Sequence, residues 1–175
     1  PENFVLDENY DLKFIDFVNF EKGLEFIQSS LTRYSKIDAV FHIGANADVL
    51  VEDCNEMLEM NFEHSKFWFD FCKNKNTPLI YASSSAVYGN SKKFSVSHKN
   101  ERPHNEYAFS KLCFDNFVRS NNSICKNKVI GYRFFNIFGL GEAHKEKNAS
   151  LPFRFLEFMN KYSKIELFNT LIKRD

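Results

Sequence analysis

The sequence predicts an α/β protein, a parallel sheet with helices on both faces, and three observations carry that prediction. Three short β-rich runs, at 37–42, 79–82 and 128–134, are mostly apolar, as strands buried in a parallel sheet must be. Each runs straight into small or hydroxyl-bearing residues: Ile43-Gly44-Ala45-Asn46-Ala47, Ser83-Ser84-Ser85 and Phe135-Asn136-Ile137-Phe138-Gly139. The segments between them carry helical spacing, so that strand and helix alternate.

Taken in order, residues 1–11 show no period and read as loop, and 13–16 reads as a short strand. Leu24, Ile27, Gln28 and Leu31 give residues 19–34 a helical spacing. The strand at 37–42 then ends in the loop from Ile43 to Ala47. Small side chains at a strand's carboxyl end let backbone N–H groups approach a ligand, although the same residues also suit a plain tight turn. Residues 49–74 are long enough for one continuous helix, with Met57, Leu58, Phe62, Ser65, Phe69 and Cys72 as its apolar stripe. Asn61 falls inside it, and a mid-helix Asn ordinarily faces solvent.

Thr77-Pro78 ends that helix, and the next strand delivers three consecutive hydroxyls. A serine there either caps the following turn or holds a substrate hydroxyl beside a base. Without a Gly-x-Ser-x-Gly elbow, a nucleophilic serine is not expected. Residues 91–104 form a polar loop; after the third strand, 140–147 is a polar segment with two lysines. Ser150 caps a helix running to about Tyr162, with Pro152 in its first turn, and 165–168 is a short strand candidate.

Chemistry centres on Tyr107 and Lys111. A four-residue separation puts both side chains on one helix face, where an ammonium stabilises phenolate and brings a phenol that ordinarily titrates near ~10 toward neutral pH. Tyr88 and Lys92 repeat the spacing, but Gly89 and Asn90 between them are turn formers. Around the first pair, Pro103 precedes the helix, and Phe109, Cys113 and Phe117 recur every four residues as a packing face.

The 175 residues, 43% of them hydrophobic, are enough for one domain with a core. Twenty-three basic residues balance 23 acidic ones, which argues against nucleic-acid and membrane partners. No signal segment and no spanning apolar run are visible, so a cytoplasmic location is expected. Cys54, Cys72, Cys113 and Cys125 are scattered without ligand spacing and read as ordinary thiols, with no metal site. The 21 Phe against one Trp read as core filling.

The ordered set Phe41-His42-Ile43-Gly44-Ala45, Asn61, Tyr81 to Gly89, Tyr107-Ala108-Phe109-Ser110-Lys111 and Arg133 to Gly139 resembles the extended short-chain dehydrogenase/reductase family that acts on nucleotide sugars. Phe135 to Gly139, His144-Lys145, Ala149-Ser150, Leu167-Phe168 and Lys173-Arg174-Asp175 resemble its branch that epimerises an ADP-linked heptose at C-6 for lipopolysaccharide core synthesis. The resemblance implies a partial Rossmann-like sheet and an isomerase that works by transient oxidation with NADP, or NAD. It implies Tyr107 as acid/base, Lys111 as its partner, Ser84 as the aligning hydroxyl and Lys145 as a second acid/base across the sugar. Implied cofactor contacts fall on Ile43, Gly44, Ala45, Asn46, Ala47, Asn61, Lys111, Ile137 and Lys145. Implied substrate contacts fall on Ser84, Asn136, Lys147, Arg154, Phe168 and Arg174, and a homo-oligomer is implied for the full-length protein.

On this reading residues 1–175 are the central part of a single NAD(P)-binding epimerase domain, with 140–175 opening its substrate-binding lobe. The family's first strand and glycine-rich turn have no counterpart in the sequence, and its C-terminal lobe continues past Asp175. Leu140-Gly141, Lys147 and Arg154 depart from the family's usual residues. The isolated chain is therefore expected to bind dinucleotide poorly and to aggregate through an uncovered strand edge. Two alternatives stand beside the 6-epimerase: a nucleotide-sugar 4-epimerase or 4,6-dehydratase, and a truncated, non-catalytic binding module.

Overall fold

The computed structural model describes residues 36–48, 51, 53–139, 141–143, 145 and 149–163, together with Val18 and Phe26. The expected loop at 1–11, strand at 13–16, most of the helix at 19–34 and the strand at 165–168 lie outside the described residues. The chain divides into two compact units, Phe17–Phe135 and a second made of Asn136–Asp175 with Pro1–Asp16.

The first unit contains a parallel three-stranded sheet in the order β1-β2-β3, formed by β1 (Val40–His42), β2 (Leu79–Ser84) and β3 (Val129–Phe134). The register pairs Val40 with Leu79, and Leu79 with Val129, so all three carboxyl ends emerge at one edge. β1 is shorter than the sequence run suggested. β2 extends two residues beyond its expected end, into the serines.

The segment expected as one helix is built in three pieces: α1 (Cys54–Met57), a π-helical stretch (Leu58–Glu63) and α2 (His64–Lys75). Asp53 caps the start with its carboxylate, and Asn76 ends α2 in a left-handed conformation at φ 52°. An α-helix turns 100° per residue, so side chains spaced by four drift around it. The wider π turn absorbs that drift and keeps Met57, Asn61, Ser65 and Phe69 buried on one side. Asn61, expected toward solvent, is thus turned inward and is 1% exposed.

The Tyr107 helix, α3 (Glu106–Asn121), begins at Asn105, whose side-chain oxygen accepts from the Ala108 N–H at 2.8 Å. Its buried side is Ala108, Ser110, Lys111, Phe114, Asp115 and Val118. The packing face expected from Phe109, Cys113 and Phe117 is instead partly exposed, because hydrogen-bonded polar residues occupy the inward stripe. Phe69, Cys72, Leu79, Tyr81, Phe114 and Val118 form the core between α2, α3 and the sheet, and burial pushes the Cys72 thiol up to about 12. Gly131 is required in β3 because a Cβ there would lie 2.3 Å from the Tyr81 ring.

Helices cover one face of this sheet. On the other, Phe41, Ile130, Tyr132 and Phe134 are exposed. The expected helix at 19–34 falls among the undescribed residues, apart from helical Phe26. In the second unit, α4 (Leu151–Tyr162) begins as expected at Ser150, with proline in its first turn. The Glu142 carboxylate accepts from the N–H groups of Gly139 and Ser150, both at 2.7 Å, and is held below its ordinary carboxylate range by them. No helix among the described residues is long and apolar enough to cross a membrane.

Candidate active site

At the carboxyl edge of the sheet the first unit brings together the loop after β1, the end of β2 and the first turns of α3. Asn61 joins two of these. Its Oδ1 accepts from the Asn46 N–H at 2.8 Å, and its Nδ2 donates to the Asn46 carbonyl at 2.9 Å. The same Nδ2 donates to Ser110 Oγ at 3.0 Å, and Ser110 donates to the Tyr107 carbonyl at 2.8 Å. The β1 loop is thereby tied through one buried amide to the turn that carries Tyr107. Ile43, Gly44, Ala45 and Ala47 of that loop are exposed, and a Cβ on Gly44 would meet nothing within 4 Å. Packing of the described residues does not require glycine there, and the backbone faces open space.

Beneath the loop, His42 Nε2 lies 2.7 Å from Ser65 Oγ, and its ring lies edge-on to His64 at 5.4 Å between centroids. Burial, with repulsion from His64 and Lys111, lowers His42 to about 4, so it is neutral.

Lys111 is 6% exposed, and its Nζ donates to the Ala82 carbonyl of β2 at 3.0 Å. Burial lowers its pKa to about 8, and the Asp115 carboxylate one turn along opposes that shift. Tyr107 is half-buried, one turn before Lys111 on the stripe that passes along β2. α3 also packs on the short 3-10 turn Ser85–Tyr88. Ser84, half-buried, accepts from the Ala86 N–H at 3.1 Å, so the capping role considered from sequence is realised; its own O–H is left to donate elsewhere.

The remaining expected site residues fall in the second unit or outside the described residues. Asn136, Ile137, Lys145 and Arg154 are exposed and belong to the second unit. Lys147, Phe168 and Arg174 lie outside the described residues.

Sequence reasoning missed a buried charged cluster behind the pair. The Asp115 carboxylate accepts from Tyr81 Oη at 3.1 Å, Ser83 Oγ at 3.0 Å, and Arg133 Nε and Nη2 at 2.9 and 2.8 Å. Arg133 and Arg119 both bind Glu101, and the Arg133 guanidinium lies 4.9 Å from the Tyr88 ring centroid. Glu101 is held below its usual range: its burial opposes this, but the two guanidinium groups outweigh it. The signal was present at Asp115, an acid one turn beyond Lys111 on the same face. Glu101, in the loop before α3, gave none.

Comparison with known proteins agrees with this fold. A family model described as the NAD dependent epimerase/dehydratase family matches residues 11–175. The ADP-L-glycero-D-manno-heptose-6-epimerase of Cupriavidus pinatubonensis is 36% identical over 154 residues, which cover 87% of this chain and 44% of that protein. The crystal structure of the Helicobacter pylori enzyme of that name matches with a TM-score of 0.69 and 34% identity, over 78% of this chain and 44% of that one. A UDP-N-acetylglucosamine 4-epimerase from Methanobrevibacter ruminantium matches with a TM-score of 0.63 and 28% identity, over 71% of this chain and 41% of that one. The chain spans less than half the length of these relatives. With the parallel sheet, the loop after β1 and the Tyr107–Lys111 helix in the places the motifs led us to expect, the chain belongs to the NAD dependent epimerase/dehydratase family.

Proposed function

We propose that this chain is part of a nucleotide-sugar epimerase that inverts C-6 of an ADP-linked heptose, with Tyr107 as proton carrier. The observation that supports this most is the seating of Lys111. Its ammonium is buried one helical turn from Tyr107 and anchored to the backbone of β2, next to the strand end that carries Ser84. Tyr107 is assigned as the proton carrier and this ammonium, one turn along the same helix face, as its partner. The similarity to two named heptose 6-epimerases at 34–36% identity supports the choice of sugar.

The residues present fit a nicotinamide dinucleotide. The exposed backbone of Ile43 to Ala47, fixed through Asn61, offers N–H groups at a strand's carboxyl end, and Lys111 offers an ammonium. A bound nicotinamide would supply reversible hydride acceptance. The protein's own part is proton handling. Tyr107 takes the proton of the C-6 hydroxyl while Ser84 aligns it, so that loss of the C-6 hydride to a bound nicotinamide would leave a carbonyl at C-6. After that carbonyl is presented by its other face, Lys145 serves as proton donor for the return, and inversion results. Asn136, Lys147, Arg154, Phe168 and Arg174 are assigned to the substrate, where a guanidinium matches a diphosphate. We assign NADP as the cofactor, a cytoplasmic location, a homo-oligomeric full-length enzyme, and residues 140–175 as the start of the sugar-binding lobe.

The test is conversion of ADP-D-glycero-D-manno-heptose to its C-6 epimer by the intact protein, followed by NMR. Tyr107→Phe should lower the rate by roughly two to four orders of magnitude. Lys145→Ala should abolish 6-epimerisation, whereas a 4-epimerase using one base would barely respond. Interconversion of a UDP-sugar at C-4, with no action on the ADP-heptose, would overturn the assignment.

A further inference from the structure

Three consecutive residues of β2 are each fastened to the same stripe of α3. Tyr81 Oη and Ser83 Oγ donate to Asp115, and between them the Ala82 carbonyl accepts from Lys111. Tyr107, Lys111 and Asp115 follow one another at single-turn spacing, so the turn carrying Tyr107 continues along the strand toward Ser84. Asp115 is the far end of that ladder and its most heavily bonded member. Its side chain is 5% exposed and takes four donors: Tyr81, Ser83, and two from Arg133 on β3. A helix packed only through apolar contacts can slide or roll by fractions of an ångström; one gripped by four hydrogen bonds to two strands cannot.

We propose that Asp115 is a positioning residue for the Tyr107–Lys111 pair: its carboxylate sets the register of α3 along the carboxyl end of β2 and supplies the counter-charge for the buried ammonium. This rests on the reading of Tyr107 and Lys111 as the acid/base pair.

The second half of the role follows from the charges around Lys111. From β1, His42 is neutral. From β2, Tyr81 is kept protonated, its pKa raised by burial and by Asp115. From β3, Arg133 is bound by Asp115 and Glu101, and Arg119 of α3 itself is bound by Glu101. From α1, Glu56 is exposed and accepts from the Asn46 side-chain amide at 3.2 Å. The π-helical stretch turns the Asn61 amide inward, and α2 contributes the Ser65 hydroxyl and His64. Asp115 is thus the negative charge that opposes the desolvation of Lys111. Neutralising it removes an attraction that favours the charged amine, and the ammonium one helical turn from Tyr107 is lost at a lower pH.

The experiment uses the intact protein with lysine side chains isotopically labelled, and the Lys111 signal assigned from Lys111→Arg. Its NMR titration midpoint should lie near 8 in the native protein and about one unit or more lower in Asp115→Asn. A double variant, Tyr81→Phe with Ser83→Ala, removes two of the four grips but keeps the charge and the Arg133 pair. It should lower kcat about tenfold, on the order of one lost positioning contact, leave KM within about twofold, and leave the Lys111 midpoint in place. A Lys111 midpoint unmoved in Asp115→Asn, or a double variant with unchanged kcat, overturns the proposal. The double variant decides by itself if Asp115→Asn does not fold. Failure of the heptose assignment would appear separately, as a native protein inactive on that sugar with the titration shift intact.

Discussion

The two faces of the three-stranded sheet reverse the usual distribution of polarity. The face under α2 and α3 holds His42, Ser83 and Arg133 among its apolar residues, and Asp115 reaches it from above. The open face presents Phe41 at 68% exposure, with Ile130, Tyr132 and Phe134 beside it. Burial of charge is tolerated on the covered side because nearly every polar atom there is spoken for; an isolated buried charge would cost several kcal/mol. Among the described residues the open side is apolar and exposed. Ionic groups on this sheet are therefore structural commitments, whereas its exposed hydrophobic side chains contribute little to holding the first unit together.

Removing one member of the covered cluster is the severest challenge to this contrast. Arg133→Met removes the guanidinium bound to the Asp115 carboxylate and deprives Glu101 of one of its two, and should cost ~3–5 kcal/mol in urea denaturation. A loss below ~1 kcal/mol would mean that the cluster is no more than surface electrostatics.

The next effect comes from His42 on the same face. Its pKa in the folded chain, about 4, lies below the 6.5 of the unfolded one. Its contribution is therefore fully present above about pH 6.5 and is lost as pH falls through about 4, a swing of ~3 kcal/mol. His42→Gln, which retains a donor toward Ser65, should flatten the stability profile across that window. A profile with the same slope in the variant would remove His42 as its origin.

The smallest effect belongs to the open face. Phe41→Lys with Tyr132→Lys should change unfolding free energy by no more than ~0.5 kcal/mol while reducing self-association of the 175-residue chain in light scattering. A large destabilisation would show that the open face is packed in solution after all.

Much of the fold was legible because its elements announce their own ends. α3 begins at Asn105, which follows Pro103, and α4 begins at Ser150 with proline in its first turn. β2 and β3 are runs of apolar residues between clear breaks. Illegible were the features that depend on a partner distant in sequence. Nothing local signals that residues 58–63 should widen into a π turn, because its benefit is the grip of Asn61 on Asn46 and Ser110. The stripe of Phe109, Cys113 and Phe117 misled because apolar spacing was weighed without the hydrogen bonds that let Lys111 and Asp115 go inside. At the site, Tyr107, Lys111, Ser84 and Asn61 stood out as motif members, whereas Glu101 became visible only once the chain was folded around Arg119 and Arg133.

The widened turn between Met57 and His64 makes this helix intolerant of a change in length. Deleting any one residue from Leu58 to Glu63 would let a tighter coil form, at the expense of swinging every later side chain by about 100° relative to the earlier ones. Either the amide that clamps the β1 loop or the Phe69 and Cys72 side chains in the core would then point the wrong way. Single-codon deletions should therefore be far more damaging here than in the exposed stretch at 92–96.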